Sequence, residues 1–193
     1  MQKGQHIGKL VVHIPDNDTD PDIAHNSINV STTKRPLRLD PSAAYLLAGG
    51  VGGLGRAVAT YFVECGARHL IFLSRSATSS NTSKDFFIEL EAQDCTISAI
   101  DGSVAILTDV QKAVALATES GKRLAGVLQL SMVLRDLPLM KMSHEDWRVA
   151  IEPKVDGSWN LHKALIELEG NDLDFFVMFS SALGNFGAAH QSK

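Results

Sequence analysis

The sequence predicts an α/β protein built on a doubly wound parallel sheet. From about residue 43 onward, short apolar segments of strand length alternate with longer segments that carry helical periodicity. A glycine-rich segment separates the first predicted strand from the first predicted helix. Short apolar strands that alternate with helices are typical of parallel sheets covered by helices on both faces.

The predicted strands are continuous apolar runs rather than alternating ones, as expected for strands buried on both faces. In chain order they are residues 45–48, 69–73, 95–100, 125–130 and 173–179.

The predicted helices occupy the intervals between these strands, at residues 54–65, 86–93, 109–120 and 147–168. In the first helix, Leu54, Val58, Tyr61 and Phe62 are expected to form one apolar stripe, and Gly66 to end the helix. Pro153 is expected to interrupt the last helix, and the Ser/Thr-rich residues 76–83 to form an exposed loop.

The 193 residues are enough for one domain of ordinary size. Residues 1–14 contain a short strand candidate, and residues 15–42 are polar and proline-punctuated, which indicates a linker. Residues 43–193 are then the folded domain.

Composition narrows the class of partner. A net charge of −4 argues against nucleic acid, which is bound by clustered cations. No apolar segment approaches membrane-spanning length and no secretion signal is evident, so a cytoplasmic protein without a membrane partner is expected. Cys65 and Cys95 are then expected to be free thiols. Seven histidines occur without metal-ligand spacing, so no metal site is predicted, and His144 and His162 are expected to be helix-surface or packing residues.

The segment from Ala48 to Gly55 is the strongest local signal. Glycines between a strand and a helix let a pyrophosphate approach backbone N–H groups at the helix N-terminus. The alternative is a tight turn without a ligand. After the second strand, Arg75 stands where NAD-specific proteins carry an acid, and its charge suits a 2′-phosphate, so NADPH is favoured over the alternative of a solvated surface cation.

Beyond these features, four longer blocks carry a family resemblance, and Phe179-Ser180-Ser181 follows them. They are residues 45–55 (YLLAGGVGGLG), 66–76 (GARHLIFLSRS), 126–136 (GVLQLSMVLRD) and 153–162 (PKVDGSWNLH). In order and spacing they resemble the ketoreductase domains of polyketide synthases, members of the short-chain dehydrogenase/reductase superfamily with a Rossmann-like fold. The resemblance is strongest to the highly reducing iterative kind found in fungi.

The resemblance implies a cofactor site for NADPH. The phosphate loop would comprise Gly49, Val51, Gly52, Gly53, Leu54 and Gly55. Ser74 and Arg75 would meet the adenosine 2′-phosphate, Asp101 would contact the adenine, and Ser131 would border the nicotinamide ribose.

The resemblance also implies the catalytic residues and the partners. Lys154 matches the family's lysine and Ser181 its serine, while the proton-donating tyrosine would fall at the first position beyond Lys193. The expected reaction is reduction of a β-ketone tethered to an acyl carrier protein, with the remaining synthase domains or a complementary fragment as partners. Residues 1–14 resemble the end of a preceding enoylreductase domain.

We therefore expect a C-terminally truncated domain that is inactive alone, and a noncatalytic NADPH-binding or vestigial fragment is the alternative. A simple NAD-dependent dehydrogenase would instead carry an acid near Arg75 and a tyrosine at the position of Ala150, four residues before the lysine.

Overall fold

The computed structural model describes residues 37–168, 172–181 and 183–187. Within these residues five parallel strands form one sheet in the order β3-β2-β1-β4-β5. The strands are β1 (Ala44–Ala48), β2 (His69–Ser74), β3 (Thr96–Asp101), β4 (Leu124–Gln129) and β5 (Phe175–Met178). The predicted doubly wound parallel sheet is confirmed.

Four helices connect successive strands, and a short fifth helix follows the last strand. They are α1 (Gly53–Glu64), α2 (Asn81–Glu91), α3 (Leu107–Glu119), α4 (His144–Ile166) and α5 (Leu183–Phe186), with a 3-10 turn at Leu139–Lys141. The predicted strand at residues 7–14 and most of the predicted linker lie outside the described residues. Of that linker, residues 37–42 are described, and Leu39 is buried against the core while its N–H donates to the carbonyl of Cys65 at 2.9 Å.

Alternating side chains of β1 serve the two layers of the core. Tyr45 and Leu47 pack with Phe62 of α1 on one face of the sheet. Leu46 and Ala48 pack with residues of α3 and α4 on the other face. Because successive residues of a strand point to opposite faces, a fully apolar strand is what a sheet with two covered faces requires.

The strand order indicates which end of the sheet is expected to bind a ligand. β1 pairs with β2 on one side and with β4 on the other, so the direction of winding reverses between β1 and β4. In open α/β sheets, ligands bind at the carboxyl ends of the strands beside such a reversal.

The prediction of which side chains of α1 face the core was wrong in part. Leu54 and Tyr61 are 60% and 50% exposed, so only Phe62 of the predicted apolar stripe is buried. The buried face instead consists of Gly55, Ala59, Phe62 and Val63. Small residues let the helix approach the sheet closely, and a prediction based on large apolar side chains misses that face.

Two further expectations about the helices were also wrong. The segment 76–83 is not wholly an exposed loop, because α2 begins at Asn81 and Ala77 and Ser83 are buried. Pro153 lies inside α4 without ending it. The helix continues because it begins with a capping box between Ser143 and Asp146 and packs along its length on the sheet and α3.

Candidate active site

A cavity of about 420 Å³ lies at the carboxyl ends of the first four strands. Its wall is formed by residues that directly follow β1, β2, β3 and β4, together with one face of α4. The lining residues are Gly49, Ser74, Arg75, Gly102, Ser103, Val104, Ala105, Leu130, Ser131, Met132, Val133, Val149, Glu152 and Pro153. The cavity therefore occupies the position beside the winding reversal where such sheets bind ligands.

Gly49 brings the loop after β1 against the loop after β4. Its φ is +81°, a left-handed conformation that side chains rarely adopt. A Cβ at this position would lie 2.7 Å from the backbone nitrogen of Ser131. Any larger residue would therefore separate two segments that share the cavity wall.

The glycine loop also lets α1 begin close to the end of β1. A Cβ at Gly55 would lie 2.4 Å from the carbonyl oxygen of Gly50, so glycine is required for the helix to start this close to the loop. Among the described residues, the N–H groups of Gly53, Leu54 and Gly55 have no acceptor, and no atom stands within 4 Å of a Cβ built on Gly53. Free N–H groups at a helix N-terminus favour a phosphate.

Arg56 holds the same loop in place. Its Nε donates to the carbonyl oxygen of Val51 at 2.8 Å, and its guanidinium lies 5.2 Å from the ring centroid of Phe86. The predicted loop residue Val51 is thus held through its backbone carbonyl, and its partly buried side chain packs against the core.

Ser74 and Arg75 form the part of the wall that follows β2. Ser74 is the last residue of the strand, and its carbonyl accepts from the N–H of Gly102 at 3.0 Å. Arg75 is exposed on the cavity side, and none of the ion pairs within the described residues involves it. Its guanidinium is therefore available to an anionic ligand.

Asp101 ends β3 beside Ser74, with which it is in register. Its two carboxylate oxygens accept from the backbone N–H and the hydroxyl of Thr78, at 2.6 and 2.7 Å. The pKa of the Asp101 carboxyl lies below its ordinary value, and the hydrogen bond from the backbone N–H of Thr78 is the largest cause. Asp101 thus fixes the loop after β2 at the edge of the cavity.

Lys154 lies on α4, next to the cavity-lining Pro153. Its Nζ donates to the carbonyl oxygen of Phe179 at 2.7 Å, across to the end of β5. Burial lowers the pKa of Lys154. Ser181 follows two residues after Phe179, and its Oγ accepts from the N–H of Leu183 at 3.2 Å. The predicted catalytic pair therefore stands on neighbouring segments at one end of the sheet.

Of the predicted cofactor residues, Gly49, Ser74, Arg75 and Ser131 line the cavity, and Asp101 adjoins it. Residues 102–105 and 132–133 were not predicted. They could have been predicted from sequence, because they directly follow β3 and β4. The carboxyl ends of parallel strands near a winding reversal face one crevice.

Other potential sites within the described part of the chain are few. No group of three His, Cys, Asp or Glu side chains there could hold a metal ion. Both cysteines are free, and burial raises the pKa of Cys95 to about 11. His144 and His162 are surface residues of α4 whose rings contact Trp147 and Trp159. No described helix has the length and apolarity that a membrane span requires.

Comparison with known proteins agrees with this architecture. The family model of the KR domain matches residues 43–193. The chain is 54% identical over 193 residues to the highly reducing polyketide synthase gloL of Glarea lozoyensis. It is 51% identical over 195 residues to the highly reducing polyketide synthase FUM1 of Gibberella moniliformis. Each match covers 100% of this chain and 7% of the relative, so the chain spans a small part of these proteins.

Among solved structures, an N-terminal ketoreductase from the macrolactin assembly line superposes with a TM-score of 0.75 at 29% identity. The superposition covers 82% of this chain and 32% of that one. The fold and the family imply a nicotinamide cofactor. The chain belongs to the family of KR domains, the ketoreductase domains of polyketide synthases.

Proposed function

We propose that this chain is the nucleotide-binding part of a β-ketoacyl reductase. In this proposal it contributes to NADPH-dependent reduction of a carrier-tethered β-ketone to a β-hydroxyl during polyketide biosynthesis. The observation that carries the proposal is the cavity beside the winding reversal, where Gly49, Arg75 and Ser131 converge and Lys154 follows on the adjoining helix.

The residues present fit a nicotinamide dinucleotide. Free N–H groups at the start of α1 suit its pyrophosphate, and the cavity extends from the end of β2 to the loop after β4. Gly49, Gly53 and Gly55 would shape the phosphate loop, and Ser131 would border the ribose of the nicotinamide. When bound, the nucleotide supplies the hydride for carbonyl reduction.

Preference for NADPH over NADH rests on the end of β2. Ser74 offers a hydroxyl, and Arg75 offers a guanidinium that forms no ion pair with the described residues. No acid stands at this position to bind the 2′-hydroxyl of NADH. A guanidinium is well suited to a phosphate because its N–H donors match the phosphate oxygens.

Lys154 and Ser181 would act on the developing oxyanion. The Ser181 hydroxyl would donate to the substrate carbonyl oxygen and orient it. Lys154 uses one of its three N–H donors on Phe179, so two remain for neighbouring groups. Its positive charge would favour ionisation of the tyrosine that gives the proton, which we expect in the sequence after residue 193.

The partners proposed are an acyl carrier protein that presents the substrate and the other domains of a synthase. The only basis for these partners is the similarity to highly reducing polyketide synthases. The contacts within the described residues do not bear on them.

The test is turnover of a β-ketoacyl thioester with NADPH. It compares this chain with an extended chain, in which the segment that follows this region in the Glarea lozoyensis relative is joined after Lys193. We expect the extended chain to oxidise NADPH and form the β-hydroxy thioester, and the 193-residue chain to bind NADPH without turnover. Absence of both binding and turnover in the extended chain would reject the proposal.

A further inference from the structure

Gln129, the last residue of β4, is a buried polar residue that none of the roles above uses. Its side chain is 1% exposed. The Nε2 donates to the carbonyl oxygen of Pro153 at 2.6 Å, and the Oε1 accepts from the N–H of Ser131 at 3.0 Å. Since a carbonyl can only accept and an N–H can only donate, these two partners fix the orientation of the amide.

The same residue belongs to a closed circuit of hydrogen bonds. The backbone N–H of Phe179 donates to the carbonyl oxygen of Gln129 at 3.0 Å, and the Nζ of Lys154 donates to the carbonyl oxygen of Phe179 at 2.7 Å. The circuit closes through the peptide bond between Pro153 and Lys154. It therefore fixes Lys154 relative to the ends of both β4 and β5.

Gly157 makes this contact possible. A Cβ at that position would lie 2.9 Å from Nε2 of Gln129 and 2.6 Å from Cγ1 of Val104. α4 can therefore approach the end of β4 closely enough for a side chain of this length to reach the carbonyl of Pro153.

We infer that Gln129 is a positioning residue that couples the nucleotide cavity to Lys154. One end of its amide holds the cavity-lining loop at Ser131, and the other holds the turn of α4 that carries Lys154. An amide serves both partners at once, whereas a carboxylate lacks the donor and an apolar side chain lacks both groups. The inference deepens the proposed function and rests on it for the role of the cavity.

The experiment uses the 193-residue chain with Gln129→Met and Gln129→Glu. Asn160→Leu is the matched control, because Asn160 is also a buried amide side chain but lies on α4. It donates to the carbonyl oxygen of Val104 at 3.1 Å and does not belong to the circuit. The readouts are thermal stability, NADPH affinity by fluorescence, and titration of Lys154 by NMR of ¹³Cε-labelled lysine. Lys154→Arg identifies the Lys154 signal.

For Gln129→Met we expect NADPH affinity to fall about three- to tenfold, as for the loss of one or two buried hydrogen bonds. The pKa of Lys154 should rise toward its ordinary value as the side chain gains solvent. Gln129→Glu should show the same loss of affinity at pH 8 and regain affinity, relative to the original chain at the same pH, once its carboxyl is protonated. A protonated carboxyl again offers one donor and one acceptor. Asn160→Leu should lower stability and leave the titration of Lys154 unchanged.

The inference is overturned if Gln129→Met and Asn160→Leu lose similar stability while the Lys154 titration stays in place in both. If Gln129→Met fails to fold, the Gln129→Glu variant decides. Recovery of NADPH affinity at low pH would support the inference, and persistence of the loss at low pH would overturn it. Failure of the unsubstituted chain to bind NADPH would count against the proposed function instead, since the Lys154 titration needs no nucleotide.

Discussion

The Nζ of Lys154 lies 2.7 Å from the carbonyl oxygen of Phe179, which links the middle of α4 to the residue that follows β5. The lysine is thus held at the end of the sheet where the strand loops form the cavity. Burial lowers its pKa, so the folded protein disfavours its charged form to some degree. Perturbed pKa values are common among residues of functional sites, which supports the role proposed for Lys154.

Lys154→Met in the extended chain is expected to reduce turnover about 100-fold or more, because the charge that favours ionisation of a neighbouring hydroxyl is lost. The free energy of unfolding should change little, since the substitution also removes the desolvation of a partly buried ammonium. Steady-state kinetics and chemical denaturation measure the two effects.

Lys163→Met is the control for that experiment, because Lys163 is an exposed lysine on the same helix. Its turnover should equal that of the unsubstituted chain. Equal turnover in Lys154→Met and Lys163→Met would contradict the assignment of Lys154.

Gly49→Ala is expected to weaken NADPH binding at least tenfold, because its Cβ would press on the backbone of Ser131 and displace the cavity wall. Gly121→Ala is the matched variant, since Gly121 also has a positive φ, +69°, but no atom within 4 Å of its Cβ. Both variants carry backbone strain of about 1 to 2 kcal/mol. Fluorescence titration should find reduced affinity only for Gly49→Ala, and parallel losses would show that strain alone explains the effect.

His69→Gln is expected to change how stability depends on pH. Burial, and secondarily the nearby charge of Lys122, lower the pKa of His69. As pH falls below about 6.5, His69 is protonated in the unfolded chain before it is protonated in the folded chain. The free energy of unfolding therefore decreases from about pH 6.5 down to the lower pKa of the folded state. Urea denaturation between pH 5 and 8 should find a smaller loss on acidification in His69→Gln than in the unsubstituted chain. Identical slopes would contradict this account of His69.

The strands and the glycine loop could be predicted from sequence because their signals are local. Continuous apolar runs mark strands covered on both faces, and glycines between strand and helix mark the phosphate loop. Pro153 and the buried face of α1 could not be predicted in the same way. Each depends on how closely a helix approaches the sheet, which a pattern of large apolar residues does not encode.

The site shows the same division. Arg75 could be placed because it lies just after the predicted second strand, and Ser131 could be placed through the family resemblance. The contact between Asp101 and Thr78 joins residues 23 positions apart, and that between Lys154 and Phe179 joins residues 25 apart. Thr78 and Asp101 become neighbours through the parallel register of β2 and β3, and Lys154 and Phe179 through the packing of α4 on the sheet. Composition and spacing therefore give no sign of either contact.

In the proposed function, the charge of Arg75 gives the preference for NADPH over NADH. Arg75→Ala should weaken NADPH binding about tenfold or more and leave NADH binding nearly unchanged, because only NADPH carries the 2′-phosphate. Lys84→Ala removes an exposed charge on α2, away from the cavity, and should alter neither affinity.

The most direct measurement is a paired fluorescence titration of the 193-residue chain with NADPH and with NADH. We expect saturable binding of NADPH at least tenfold tighter than binding of NADH, with the difference removed in Arg75→Ala. Equal affinity for the two nucleotides, or no binding of either one, would contradict the claim that this cavity is an NADPH site.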